Sequence, residues 1–289
     1  MKVLVTGARG QVGRAVINAV PATTQLFAVT HSELDIGDAR AVDGFVASTR
    51  PDAIVNAAAY TAVDRAETEA DLAQLVNATG PANLARAAAA SGARLIHLST
   101  DFVFDGMTSA PYRPQDPTNP LSVYGATKLA GELAVREILD DRSVVLRTAW
   151  VYDATGRNFL NTMLRLMRER GTVRVVADQF GSPTAAHSIA EAIWAIVARP
   201  EVAGTHHWTD AGVASWYDFA VAIAEEAASA GKGSASAGVI PIGTADYPTP
   251  AKRPRFSVLD KAATCAALSL TPRHWRQNLR QVIGEVSIA

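Results

Sequence analysis

The first thirteen residues leave the chain the fewest choices of fold. Lys2 to Thr6 reads as a short apolar strand and runs straight into Gly7-Ala8-Arg9-Gly10-Gln11-Val12-Gly13. A helical pattern follows from about Gln11 to Val20 and stops before Pro21. Strand, glycine turn and helix in immediate succession form the context in which a dinucleotide pyrophosphate is held. Gly7 permits the tight turn, Gly10 lets the backbone approach the phosphates, and Gly13 lets the helix pack closely on the strand. Free N–H groups at the helix start, around Gln11 and Val12, favour the anion. The spacing is G-x-x-G-x-x-G rather than G-x-G-x-x-G, so its place after a strand carries the reading.

The rest of the first half repeats the unit. Strands are expected over Gln25 to Thr30, Ala53 to Ala57, Arg94 to Leu98 and Val144 to Arg147, with helical patterns between them, one running from about Glu69 to Ser91. Such alternation dictates an α/β fold with a doubly wound parallel sheet of Rossmann type. No acid follows the second strand until Glu33, while Arg9 can either reach a ribose 2′-phosphate or point into solvent. Asp35 and Ile36 either flank an adenine or cap the next helix. Ala57, Ala58 and Ala59 either leave room for a flat ligand or are ordinary core.

Beyond residue 150 the pattern changes. A helix over Asn158 to Arg170 turns Met163, Leu166 and Met167 inward, and a short strand covers Val173 to Val176. Residues 231–238 form a small-residue loop. The expected division is a dinucleotide-binding part over 1–150 and 170–205, with a smaller substrate lobe over 151–169 and 206–289.

Chemistry is suggested by Tyr124-Gly125-Ala126-Thr127-Lys128 at the front of a helix that Ser122 can cap. Residues four apart share a helix face, so Tyr124 and Lys128 project side by side. A free phenol titrates near pH ~10. A cation about 4 Å away, at an effective dielectric of about 20, favours the phenolate by roughly 4 kcal/mol before desolvation is counted. Tyr124 is then an acid tuned towards neutrality. Alone, the pair reads equally as a surface contact. Thr100 follows the fourth strand, at the sheet edge where open α/β folds bind ligands, and its hydroxyl can donate to a carbonyl beside Tyr124.

Composition narrows the partners. A net charge of −1 with 19% charged residues offers no basic surface for nucleic acid or membrane. Cys265 is the only cysteine, and His206-His207, the one adjacent histidine pair, point to different faces, so no metal site is expected. Without an apolar leader or span, the expected location is the cytoplasm.

With Gly7 to Gly13, Thr100, Tyr124 and Lys128 in place, the chain resembles the extended short-chain dehydrogenase/reductases. It resembles most the branch that reduces dTDP-bound 4-keto-6-deoxy sugars. The likeness runs through residues 55–64, 99–104, 147–152 and 178–184 to Tyr247-Pro248-Thr249-Pro250 and Arg253-Pro254. It implies NADPH as cofactor, with NADH also accepted, and a nucleotide-sugar substrate. Thr100, Tyr124 and Lys128 would be catalytic. Val63, Phe102 and Trp150 would line the sugar pocket, with Asn158, Gln179 and Arg253 near the diphosphate. Lys128 would hold the nicotinamide ribose and lower the Tyr124 pKa, while the small residues after the third strand face the nicotinamide. Position 102 is often tyrosine in such reductases; Phe102 keeps the ring and loses the hydroxyl.

Members of that branch are described both as magnesium-dependent homodimers and as monomers, and the sequence itself supports no magnesium site. Two other readings share the scaffold. In nucleotide-sugar dehydratases a glutamate stands where Phe102 does, which argues against that chemistry, and epimerases recycle a held NAD. A non-catalytic NADP-binding protein, like the regulatory subunit of methionine adenosyltransferase, is disfavoured by the retained Thr100, Tyr124 and Lys128.

Overall fold

Six strands form one parallel sheet: β1 (Lys2–Thr6), β2 (Gln25–Val29), β3 (Ala53–Asn56), β4 (Arg94–Thr100), β5 (Ser143–Thr148) and β6 (Gly204–His207). Their order is β6-β5-β4-β3-β1-β2, each pair parallel. The computed structural model describes residues 1–233 and 238–287, so part of the small-residue loop over 231–238 lies outside the described residues.

The sheet is sealed on both faces, which is why its strands read as continuous apolar runs. Val3, Val5, Val55 and Ile96 face the helices Gln11–Asn18 and Ala186–Val197, through Val16, Ile189 and Ile193. Leu4, Ile54 and Leu95 face Ala39–Thr49, Gly80–Ser91 and Val123–Leu139, through Val42, Leu84 and Val135. The chain steps from β1 to β2 on one side and returns to β3 on the other. The crevice at the carboxyl ends of β1 and β3 is therefore the topological switch point where such sheets bind ligands.

The long helix expected over 69–91 is interrupted. Between Ala70–Gln74 and Gly80–Ser91 lies a π turn, Leu75–Thr79. Buried Asn77 in that turn accepts from the Tyr60 amide at 2.8 Å and donates to the Tyr60 carbonyl at 3.1 Å and to Thr127 Oγ1 at 3.2 Å. One extra residue in the turn thus ties the loop after β3 to the Tyr124 helix, a use typical of π turns at functional sites.

A second core lies off the sheet. The helices Phe159–Arg170, Trp216–Ser229 and Trp275–Glu285 pack around Leu160, Phe219 and Leu279. Strand Thr172–Val176, placed with the dinucleotide-binding part from sequence, pairs with Gly238–Ile242 and turns Val173 and Val175 into this core. Its alternating burial is what a one-sided two-stranded sheet requires. In the other direction, β6 carries His206 and His207 into the main sheet, past the expected boundary at 205. Among the described residues no helix is long and apolar enough to cross a membrane.

Candidate active site

The glycine turn is built so closely that side chains are excluded. Gly7 has φ +72°, and a Cβ there would lie 2.6 Å from the Ala58 nitrogen. A Cβ on Gly13 would lie 2.2 Å from the Gly7 carbonyl oxygen. Gly10 is the N-cap of Gln11–Asn18, which has neither a side-chain cap nor an acid in its first turn. Its leading N–H groups are left for a ligand. Ala57 and Ala58 have the role of close packing against Gly7, and the Ala58 amide donates to buried Asn56 at 3.1 Å. Ala59 is half-buried beside them.

At the end of β2 the structure corrects the sequence reading. Glu33 folds back on the strand end, its Oε2 accepting from the Thr30 amide at 2.8 Å and the Thr30 hydroxyl at 2.7 Å. These bonds, with exposed Arg9 adding a smaller attraction, hold its carboxyl below the usual range. An acid does stand at this position. The Thr30-x-x-Glu33 spacing, a reciprocal-capping pattern, was the available signal.

Asp35 is not the helix cap. That part falls to Asp38, which accepts from the amides of Arg40 and Ala41. Asp35 instead accepts from the Gly37 amide at 2.8 Å, and the Ile36 side chain is core, pressed where a Gly80 Cβ would sit.

Gly125 decides where Tyr124 goes. A Cβ on Gly125 would lie 2.2 Å from the Phe102 carbonyl oxygen, so only glycine lets the helix start meet the turn after β4. Ser122 caps that helix by accepting from the Gly125 amide at 3.2 Å. Tyr124, in the first turn, meets the Phe102 ring edge-on, with centroids 5.5 Å apart. Thr100 ends β4, and its hydroxyl oxygen accepts from the Phe102 amide at 3.2 Å while donating to Asp101 Oδ1 at 3.0 Å.

The electrostatics differ from the expectation. Burial pushes the Tyr124 phenol up to about 12, a hydrogen bond with Thr100 opposes the rise, and the Asp101 charge adds to it. Lys128 is buried and its Nζ donates to the Leu98 carbonyl at 2.6 Å. Burial pulls its pKa down to about 8, with the Glu132 charge holding it up. Tyr124 and Lys128 do share a face, but the flexible lysine chain swings its ammonium to a strand carbonyl. The phenol is not made more acidic by it.

Below lies an ion pair that sequence did not disclose. Glu132, one helical turn beyond Lys128, takes Arg147 of β5 in a bidentate pair with contacts of 2.7 and 2.9 Å, both side chains almost wholly buried. The Ser99 hydroxyl donates to the same carboxylate. Successive strand residues face opposite ways, so Ser99 is tied down here and Thr100 faces the cleft. Arg147 also donates to the Pro114 carbonyl at 3.2 Å and lies over the Phe104 ring.

The residues expected around the substrate separate into groups. Trp150 holds a positive φ of +50° and stacks on Trp216 with centroids 3.5 Å apart, while Gly181 leaves room for its indole. Gln179 and Arg253 line a cavity of about 630 Å³ with Phe159, Trp216 and Tyr247. Arg253 grips Asp64 through contacts of 2.8 and 3.0 Å, beside half-buried Val63. Thr100, Phe102, Tyr124, Lys128, Val63 and Trp150 do not line that cavity. Asn158 does not line the cavity, although its neighbour Phe159 does. It caps Phe159–Arg170 and donates to Gln11 Oε1 at 2.8 Å, joining that helix to the glycine turn. Trp216 and Asp64 were missed because nothing in their local sequence marks them; only folding brings them to Trp150 and Arg253.

A glycine turn at the switch point, with Thr100, Tyr124 and Lys128 at the neighbouring strand edge, defines a protein of the extended short-chain dehydrogenase/reductase class. The family described as RmlD substrate binding domain matches residues 1–288, and the chain belongs to it. It is 42% identical to the dTDP-4-dehydrorhamnose reductase of Escherichia coli K12, over 99% of this chain and 98% of that one. Among solved structures, it superposes on a dTDP-4-dehydrorhamnose reductase from Clostridium acetobutylicum with a TM-score of 0.92 at 38% identity, covering 98% of each chain. The Bacillus anthracis dTDP-4-dehydrorhamnose reductase in complex with NADP gives a TM-score of 0.92 at 34% identity, over 98% of this chain and 99% of that one.

Proposed function

We propose that this protein reduces the C4 ketone of dTDP-4-dehydro-L-rhamnose to give dTDP-L-rhamnose, with NADPH as hydride donor. The observation that carries the reading is the convergence of Thr100 and Tyr124, with Lys128 beneath, at the strand edge beside the glycine turn. Full-length similarity to reductases of that name supports the choice of substrate.

The turn suits a dinucleotide. Its helix start has uncapped N–H groups, and at Gly7 and Gly13 a Cβ would collide with backbone. NADPH, when bound, supplies the hydride. Gly10, Gln11 and Val12 hold its pyrophosphate, Ala57, Ala58 and Ala59 keep the wall beside the nicotinamide low, and Asp35 with the Ile36 backbone borders the adenine. Arg9 attracts a 2′-phosphate, while Glu33 offers an acceptor to a 2′-hydroxyl, so NADH is used as well.

Thr100 and Tyr124 meet the ketone oxygen, and Tyr124 gives it a proton as charge develops. A phenol near 12 keeps its proton at neutral pH and is matched to an alkoxide, a far stronger base. Lys128 holds the cofactor ribose and gives a proton to the phenolate after transfer, recovering its own from solvent. Val63, Phe102 and Trp150 surround the sugar, and the cavity bounded by Gln179 and Arg253 takes the nucleotide part, with Asn158 steadying the glycine turn. The lobe that packs around Leu160 and Phe219 is thus the substrate lobe, and the six-stranded sheet with its helices is the dinucleotide-binding part.

The test follows NADPH oxidation with dTDP-4-dehydro-L-rhamnose. Wild type should turn over, and Tyr124→Phe should bind NADPH normally with turnover down about 10²–10⁴-fold. Near-normal turnover in that variant would remove Tyr124 from the acid's place.

A further inference from the structure

The hydroxyl of Thr100 has one proton, and in this structure that proton goes to Asp101 Oδ1 at 3.0 Å. One of its two lone pairs is taken by the Phe102 amide at 3.2 Å. A hydroxyl spending its proton on a carboxylate cannot also donate to a ketone. Ionised Asp101 therefore turns the Thr100 proton away from the substrate.

Asp101 is a carboxyl with reason to be neutral. It is 2% exposed, no arginine or lysine pairs with it, and its Oδ2 has no hydrogen-bond partner among the described residues. An ionised carboxylate so placed lacks the partners that burial of a charge demands. Five groups face it. They are the Thr100 hydroxyl with the Asp101 and Phe102 amides of its own segment, the Ser257 hydroxyl from the C-terminal segment, and the Tyr124 phenol from the helix.

We infer that Asp101 is a positioning residue whose proton sets the direction of the Thr100 hydroxyl. Protonated Asp101 donates to the free lone pair of Thr100, which releases the Thr100 proton to the ketone oxygen. Ionised Asp101 takes that proton and withdraws the donor. The proton on Asp101 is exchanged with solvent and is not consumed in the reaction, so the stoichiometry of reduction is unchanged.

Burial supports this assignment by raising the Asp101 pKa to about 6, against the lowering effect of Ser257, Thr100 and the two backbone amides. Its charge, when present, also raises the Tyr124 pKa, so the neutral form favours both donors at once. The inference rests on the ketoreductase reading and deepens it.

The experiment measures kcat at saturating NADPH and dTDP-4-dehydro-L-rhamnose across the pH range around 6 and 8, with NADPH affinity followed by fluorescence at each pH. Wild type should lose kcat several-fold as pH rises through about 6, then again as Lys128 loses its proton near 8. Asp101→Asn keeps an N–H donor towards Thr100 at every pH, so the decline near 6 should vanish while the one near 8 stays. Should Asp101→Asn fail to fold, Thr100→Ala serves. Its reduced turnover should keep only the smaller decline near 6 that the Asp101 charge imposes through Tyr124, because no hydroxyl remains to be turned.

A wild-type profile flat through that region, a decline that survives in Asp101→Asn, or one undiminished in Thr100→Ala overturns the inference and leaves the ketoreductase reading standing. Absence of wild-type turnover at every pH refutes that reading, and this inference with it.

Discussion

The edge of β4 and the cavity of the second core are both lined with polar groups, but they are held in opposite ways. At the β4 edge the helix start and the strand are fixed from beneath. Gly125 touches the Phe102 carbonyl, Lys128 is tied to Leu98, and Glu132 locks Ser99 to Arg147, all away from solvent. Around the cavity, Arg253 and Gln179 are steadied by partners in short helical turns, Asp64 and Thr244, and the walls mix aromatic and aliphatic side chains. Chemistry depends on donors aimed to a fraction of an ångström, which a packed and buried foundation provides. Holding a nucleotide needs area, charge and room, and tolerates a looser frame.

This contrast can be broken most directly at Glu132. Glu132→Ala leaves Arg147 as an unpaired buried cation and should lower unfolding free energy by about 3–5 kcal/mol in denaturant titration. A loss too small to resolve would mean that water enters and the foundation is not closed. Next is Arg253→Ala, expected to raise KM for the nucleotide sugar about tenfold, roughly 1.4 kcal/mol, with kcat and melting temperature nearly unchanged. If kcat fell and KM held, Arg253 would belong to the chemistry rather than to the cavity. The smallest effect is expected from Phe102→Tyr. Restoring the hydroxyl beside Tyr124 should lower KM a few-fold, about 0.5–1.5 kcal/mol, through one added hydrogen bond. A drop in kcat instead would show that the new hydroxyl competes for Thr100 or Tyr124.

Much of the first region was legible along the chain because its parts are local. The glycine turn needs three residues within seven, the Tyr124 helix carries its own Ser122 cap, and Thr100 sits where a strand ends. Two local readings went astray for the same reason. Lys128 was expected to lower the Tyr124 pKa, yet its long side chain bonds the Leu98 carbonyl, and burial raises the phenol against the Thr100 hydrogen bond. Glu33 was read as too far beyond β2, although a turn of three residues brings it back to Thr30.

Sequence alone determined the alternation that forces a parallel sheet, the place of the nucleotide turn, and the helix face that presents Tyr124 and Lys128. Each of these depends on periods and spacings within a single element. Tertiary structure alone decided that Glu132 meets Arg147, that Arg253 meets Asp64 across 189 positions, that Trp150 lies on Trp216, and that Asp101 is sealed without a cation. Such pairings follow from which elements share a face in space and from how far water is excluded there. No local pattern records either quantity, because burial belongs to the assembled core and not to the chain.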